Sequence, residues 1–191
     1  MKKILIGTHN KGKFKEIAYL ISKKYKKISP INLKIKSPKE TGRSFVSNSK
    51  LKVKFFSKFV DYPVISDDSG LCIKALNNAP GIYSARLAKK QGSFFNAMKY
   101  ILKKMEKKKD RRATFVCCLS FRKDKKRIIS VEGKLNGIIS KKILGKKGFG
   151  YDPIFIPKGM NITFGQMHKS KKIKVDHRYL AFKKLKKKIN I

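Results

Sequence analysis

The stretch Val64-Ile65-Ser66-Asp67-Asp68-Ser69-Gly70 constrains this chain most, because an apolar run after Pro63 leads straight into two adjacent carboxylates. Carboxylates are costly at the end of a buried strand unless cations or hydrogen bonds compensate, so the fold must supply that compensation there. Two outcomes meet the demand. The aspartates can cap a turn, or they can form an oxygen site for magnesium with one of them polarising water. Glu40, in the preceding loop Glu40-Thr41-Gly42, is a candidate third oxygen ligand for the second outcome.

Strand and helix patterns alternate around this centre. Lys3 to Gly7 reads as a short buried strand, followed by the polar turn Thr8-His9-Asn10 and a helical spacing of Phe14, Ile17, Ala18, Leu20 and Ile21. Ile31 to Ile35 reads as extended and Phe45 to Val60 as a helix, and the strand at Val64 is expected to be interrupted by its acids before Leu71 to Ala75 resumes. Ser93 is the expected N-cap of a helix carrying Phe94, Phe95, Met98, Ile101, Leu102 and Met105, and the basic run Lys103 to Lys109 suits that helix's carboxyl end. Ala113 to Phe121 and Arg127 to Val131 predict a hairpin across the charged turn Lys123 to Lys126, with Leu135 to Ile139 extending the sheet. Tyr179, Leu180, Phe182 and Leu185 share a face of a closing helix. No repeat or linker divides the pattern, so residues 1–191 are expected to form a single α/β domain.

Charge introduces a rival reading. Fifty Lys and Arg against 11 Asp and Glu give a net charge of +39, which ordinarily points to nucleic acid or a membrane surface. Yet 43 of the 50 bases are Lys and only 7 are Arg, and they are spread through almost every segment. Specific base readout favours the planar fork of Arg. Abundant Ile, Phe and Asn beside the Lys fit compositional drift toward A/T-rich codons, so no specific nucleic-acid partner is expected, and a basic nucleic-acid-binding protein is the rival. Cys72, Cys117 and Cys118 lack metal-ligand spacing and read as reduced core residues. The opening MKKILIGTHN has too short an apolar run for a signal-peptide core or a membrane span, so a cytoplasmic location without a membrane partner is expected.

Three further groups bear on chemistry. Gly7 to Phe14 nearly matches a phosphate-binding loop, but Phe14 stands where a magnesium-holding hydroxyl would be. Lys11, Gly12 and Lys13 at a helix start still suit an anion, and equally suit a capped helix with solvated lysines. Gly148-Phe149-Gly150-Tyr151-Asp152-Pro153 combines rings, flexible backbone and an acid suited to a nucleobase, or forms a structural turn. Lys172, His177 and Arg178 supply donors ahead of and within the last helix, where such a pair is otherwise surface.

Taken together, Thr8-His9-Asn10 with Lys13 and Glu16, Glu40-Thr41-Gly42 with Phe45, Asn48 and Lys52, Ser66 to Leu71 continuing through Ala79-Pro80-Gly81-Ile82-Tyr83-Ser84-Ala85-Arg86, Gly148 to Phe155, Thr163-Phe164 and His177-Arg178 resemble the inosine triphosphate pyrophosphatase family over nearly the whole chain. The resemblance implies a two-lobed α/β fold with an elongated mixed sheet flanked by helices, a nucleotide cleft between the lobes, a homodimer and Mg²⁺. It implies that water attack on a purine nucleoside triphosphate such as ITP, dITP or XTP releases pyrophosphate, with Asp68 as proton acceptor, Glu40 and Asp68 near the metal and Asp67 in electrostatic support. By the same resemblance Thr8, His9, Asn10, Lys11, Gly12, Lys13 and Lys52 hold the triphosphate and Ser69 contacts substrate. Phe149, Gly150, Tyr151, Asp152, Lys172, His177 and Arg178 hold the purine end. Selectivity would then come from His177 or Arg178 donating to the oxygen at purine position six. The chain departs from the family's pattern at Gln166, where an acid is common, at Asp176, where Ser is usual, and at Lys89 after Ala88, so a pyrophosphatase for another modified triphosphate is a further reading.

Overall fold

The computed structural model describes residues 1–124 and 127–189, so the turn expected at Lys123 to Lys126 lies partly outside the described residues. The strands are β1 (Lys2–Ile6), β2 (Tyr25–Ile28), β3 (Val64–Ile73), β4 (Ala79–Pro80), β5 (Arg112–Arg122), β6 (Ile128–Ile139) and β7 (Phe155–Pro157). They form one mixed sheet in the order β2-β1-β3-β5-β6-β7, with β4 on β3. β1 pairs in parallel with β2 and β3, while β4 runs antiparallel to β3 and β7 antiparallel to β6. The helices are α1 (Lys11–Leu20), α2 (Phe45–Phe56), α3 (Ser84–Lys90), α4 (Phe94–Lys104), α5 (Lys169–Lys172) and α6 (His177–Lys186). This is the α/β architecture that the alternating pattern leads one to expect, with the mixed sheet that the family resemblance implies.

The chain divides into two compact units, the first comprising Met1–Asp68, Cys117–Gly133 and Arg178–Ile191 and the second Ser69–Val116 and Lys134–His177. In the first, Ile4, Ile6 and Ile65 of β1 and β3 bury with Ile17 of α1, Leu119 and Phe121 of β5, and Phe182 and Leu185 of α6. Leu5, Val64, Val53 and Phe56 make a second apolar cluster in that unit. In the other, Leu71, Ile73 and Phe115 pack with Ala97, Met98 and Ile101 of α4 and with Tyr151, Phe155 and Phe164. Area removed from water at these positions is the main source of stability.

Local sequence explains most boundaries. The side chain of Asn10 accepts from the Lys13 amide and starts α1, and Ser93 does the same for α4 through Asn96. Ser44 and Ser47 form a reciprocal capping box at α2. The extended reading of Ile31 to Ile35 is corrected: Pro30–Leu33 is a short 3-10 helix, because Ser29 and Asn32 cap one another around Pro30 and Lys34 closes the turn with φ of 54°. The strand in that region lies earlier, at Tyr25–Ile28. β3 is not interrupted by its acids; it runs through Asp67 and Asp68 to Ile73. Cys117 and Cys118 are buried and Cys72 is half-buried, all three as free thiols. Among the described residues no helix is long and apolar enough to cross a membrane.

Candidate active site

Five of the 11 acids, Glu16, Asp67, Asp68, Asp152 and Asp176, are buried, although the surface carries most of the 50 bases. Buried carboxylates need compensation, and four of these five face a Lys or Arg side chain. Glu16, Asp67 and Asp68 lie in the first unit and Asp152 and Asp176 in the second.

In the first unit, β3 carries Asp67 and Asp68 as consecutive residues, both buried. Asp67 Oδ2 meets Lys13 Nζ at 3.1 Å and Arg178 Nε at 3.9 Å. Burial opposes ionisation of Asp67, but the cations of Lys13, Lys52 and Arg178 outweigh it and hold the carboxyl well below the usual carboxylate range. Asp68 differs. Burial pushes its carboxyl up, Lys52 and Lys13 oppose the rise, and Glu40 and Asp67 add to it, so it stays above its ordinary value despite a lysine nearby. Two adjacent acids are thereby divided into a fixed anion and a better proton acceptor.

Lys52, on α2, is buried with its Nζ 2.7 Å from Glu40 Oε1 and 3.7 Å from Asp68 Oδ1. Burial disfavours its charge, yet Asp67, Asp68 and Glu40 more than restore it. One cation, the Lys52 ammonium, is held between the Glu40 and Asp68 carboxylates, whose oxygens are the donor type a hard divalent ion takes. Among the described residues no set of three or more His, Cys, Asp or Glu could hold a metal. Two protein carboxylates with the remaining positions filled by phosphate and water is the pattern magnesium favours.

The opening loop shows how the two readings of Lys11 to Lys13 divide. Asn10 caps α1, accepting from Lys13 N at 2.9 Å, and Thr8 Oγ1 accepts from Asn10 N at 3.3 Å. His9 Nε2 lies 2.8 Å from the Ile35 carbonyl. Lys11 is exposed, while Lys13 turns inward to Asp67. Glu16, one turn further on, is buried against Arg178 at 2.8 Å. The structure thus places Arg178 with the acids of the first unit, where its partners are Glu16 and Asp67.

In the second unit, Lys172 Nζ meets Asp152 Oδ2 at 2.6 Å and sits 4.6 Å from the centre of the Phe149 ring and 5.3 Å from that of Phe164. Asp152 Oδ2 also accepts the Phe149 amide at 2.8 Å. Gly148 makes that turn possible: its φ is 76°, and a Cβ there would fall 2.1 Å from Asp152 Oδ2. Tyr151 is a buried anchor whose hydroxyl donates to the Ser84 carbonyl at 2.8 Å. Its burial pushes that hydroxyl's pKa up. Phe149 and Gly150 are half-buried, as is Ser69 at the start of the unit. His177 is buried, its ring stacked on Phe115 at 4.7 Å and 9°. Gln166, in place of an acid, accepts from the Thr163 amide at 3.0 Å and closes a turn.

A model of the Ham1 family matches residues 4–188. The chain belongs to the Ham1 family. Relatives match nearly all of it: it is 39% identical over 186 residues to the dITP/XTP pyrophosphatase of Caulobacter vibrioides, covering 96% of each chain. It is 40% identical over 189 residues to the dITP/XTP pyrophosphatase of Dictyoglomus thermophilum, covering 96% of this chain and 92% of that one. Among solved structures, the Ham1 protein of Staphylococcus aureus superposes with a TM-score of 0.86 at 35% identity over 97% of both chains. A HAM1 protein of Coxiella burnetii gives 0.88 at 31% identity over 98% of both.

Sequence reasoning gave no role to Asn48 or Glu16. Glu16 pairs with Arg178, which lies in the last helix, so its spacing from Lys13 does not reveal its partner. The link from Asn48 to Asp68 is long-range and left no local signal.

Proposed function

We propose that this Ham1-family chain hydrolyses non-standard purine nucleoside triphosphates, ITP, dITP and XTP, to the monophosphate and pyrophosphate. The observation that carries the reading is the division between Asp67 and Asp68. One buried carboxylate is locked as an anion by Lys13 and Arg178, and its neighbour is raised by burial opposite Lys52 and Glu40. Full-length relatives named dITP/XTP pyrophosphatase support the substrate class.

Phosphoanhydride hydrolysis needs charge neutralisation and an aligned water. Asp68 accepts the proton of the attacking water as the bond that releases pyrophosphate breaks. Lys13, Lys52 and the Thr8 to Gly12 segment hold the phosphates, with Ser69 also contacting substrate. Glu40 and Asp68 would hold Mg²⁺, which when bound supplies further neutralisation of phosphate charge. Phe149 offers a ring face to the purine, and Gly150, Tyr151, Asp152, Lys172 and His177 shape and polarise the base site. Arg178 steadies Asp67 and is assigned with His177 to the purine end. We read residues 1–191 as one catalytic domain acting in the cytoplasm as a homodimer, without nucleic acid or membrane as a partner.

The test is pyrophosphate release from a panel of purine and modified pyrimidine triphosphates with Mg²⁺. ITP and XTP should exceed ATP in kcat/KM by at least about tenfold, the worth of one hydrogen bond to the oxygen at purine position six. Preference for a modified pyrimidine would instead assign the neighbouring specificity.

A further inference from the structure

We infer that Asn48 is a positioning residue for this hydrolysis: one buried side chain that fixes the Asp68 carboxylate and the Glu40-Thr41-Gly42 loop to each other. The inference rests on the roles proposed above for Asp68 and Glu40. Asn48 lies in the first turns of α2 and is fully buried. A primary amide carries donors and an acceptor in one plane. Both ends are used: Nδ2 donates to Asp68 Oδ2 at 3.1 Å, and Oδ1 accepts the Gly42 amide at 2.8 Å. Aspartate in its place would lack the donor for Asp68, and leucine would lack both groups.

The Gly42 end has no slack. A Cβ on Gly42 would come within 2.4 Å of Ser47 Oγ, 2.5 Å of Asn48 Oδ1 and 2.9 Å of Asn48 N, so the loop backbone lies directly on the helix start. The helix is held in turn, since Ser49 Oγ bonds Ser120 Oγ at 2.7 Å and Ser44 and Ser47 cap its first turn. Glu40 is two residues from this latch, and Asp68 Oδ1, the oxygen not bonded by Asn48, faces Lys52 at 3.7 Å. The Asn48 amide therefore fixes the Asp68 carboxylate to the Glu40 loop, while the Lys52 ammonium meets the two carboxylates themselves. Reacting groups must be held within about half an ångström, and errors near 1 Å cost on the order of 100-fold in rate. The effect belongs in kcat, because Asn48 is assigned no contact with phosphate or base.

The experiment compares wild type, Asn48→Leu, Asn48→Asp, Gly42→Ala and Asp68→Asn by kcat and KM for pyrophosphate release from ITP, by melting temperature, and by Mn²⁺ binding without nucleotide, read from electron paramagnetic resonance. Asn48→Leu and Asn48→Asp should each lose roughly 10- to 100-fold in kcat, the worth of one hydrogen bond to a charged group, with KM within about threefold. Mn²⁺ should bind roughly tenfold more weakly to Asn48→Leu. Gly42→Ala should lower kcat too, and combining it with Asn48→Leu should add little to the worse single loss. Wild-type kcat in folded Asn48→Leu, or a loss lying wholly in KM, overturns the inference. If Asn48→Leu does not fold, Asn48→Asp and Gly42→Ala decide it, and kcat within about threefold of wild type in either overturns it. Full activity in Asp68→Asn would sink the parent reading instead, and the Mn²⁺ titration would still report whether Asn48 shapes the carboxylate pair.

Discussion

Replacing Lys172 by methionine keeps most of the side-chain volume and removes only the ammonium, which in the native chain lies 2.6 Å from Asp152 and against the rings of Phe149 and Phe164. Both partners of the pair are buried, so the variant strands a carboxylate away from water. Breaking a buried pair from one side costs about 3–5 kcal/mol. The lost cation–ring contacts add up to about 2 kcal/mol, and the Phe149 amide, still bonded to Asp152, offsets about 1 kcal/mol. A net loss of about 4 kcal/mol in a chain of this length lowers the melting temperature by roughly 8–16 °C. Calorimetry and urea unfolding measure it directly. Asp152→Asn combined with Lys172→Met should recover about half the loss or more, because most of the cost is the abandoned charge. A single-variant loss below about 1 kcal/mol, or a double variant as unstable as the two singles summed, would refute the reasoning.

Gly148→Ala should lose about 1–3 kcal/mol and raise KM for ITP more than it lowers kcat, because its φ of 76° and the 2.1 Å approach to Asp152 leave no room for a Cβ; wild-type stability by urea unfolding would contradict this. Asp67→Asn should lose about 3 kcal/mol near neutral pH. The native Asp67 carboxyl is depressed, so its contribution is complete above its unfolded value of about 3.9 and disappears as pH falls below that; the gap between wild type and Asp67→Asn should shrink below about pH 4. Asp68 has the opposite sign, since a raised carboxyl costs stability once ionised. In metal-free buffer at pH 7–8, taken as the working range of an ionised base, Asp68→Asn should melt no lower than wild type.

Where local chemistry decides structure, the sequence was legible. Asn10 and Ser93 announce their helices, and the apolar runs of β1 and β5 sit where their side chains predict. Tyr25–Ile28 was hidden because two lysines stand between its apolar ends and it pairs at the edge of the sheet, beside β1 alone. Asp67 and Asp68 were visible as an anomaly in an apolar run, but their division into anion and acceptor depends on Lys13, Lys52, Glu40 and Arg178, which converge from distant segments. Arg178 illustrates the limit. Its neighbour His177 suggested a shared role at the base, whereas its partners Glu16 and Asp67 could be found only from tertiary contacts.

The central claim is that Asp68 takes the proton from the attacking water. Pyrophosphate release from ITP by Asp68→Asn, measured at saturating substrate and Mg²⁺ alongside a circular dichroism spectrum, tests it most directly. The account predicts an unchanged fold with kcat lower by roughly 10²–10⁴-fold. An Asp68→Asn chain that turns over at the wild-type rate would contradict it.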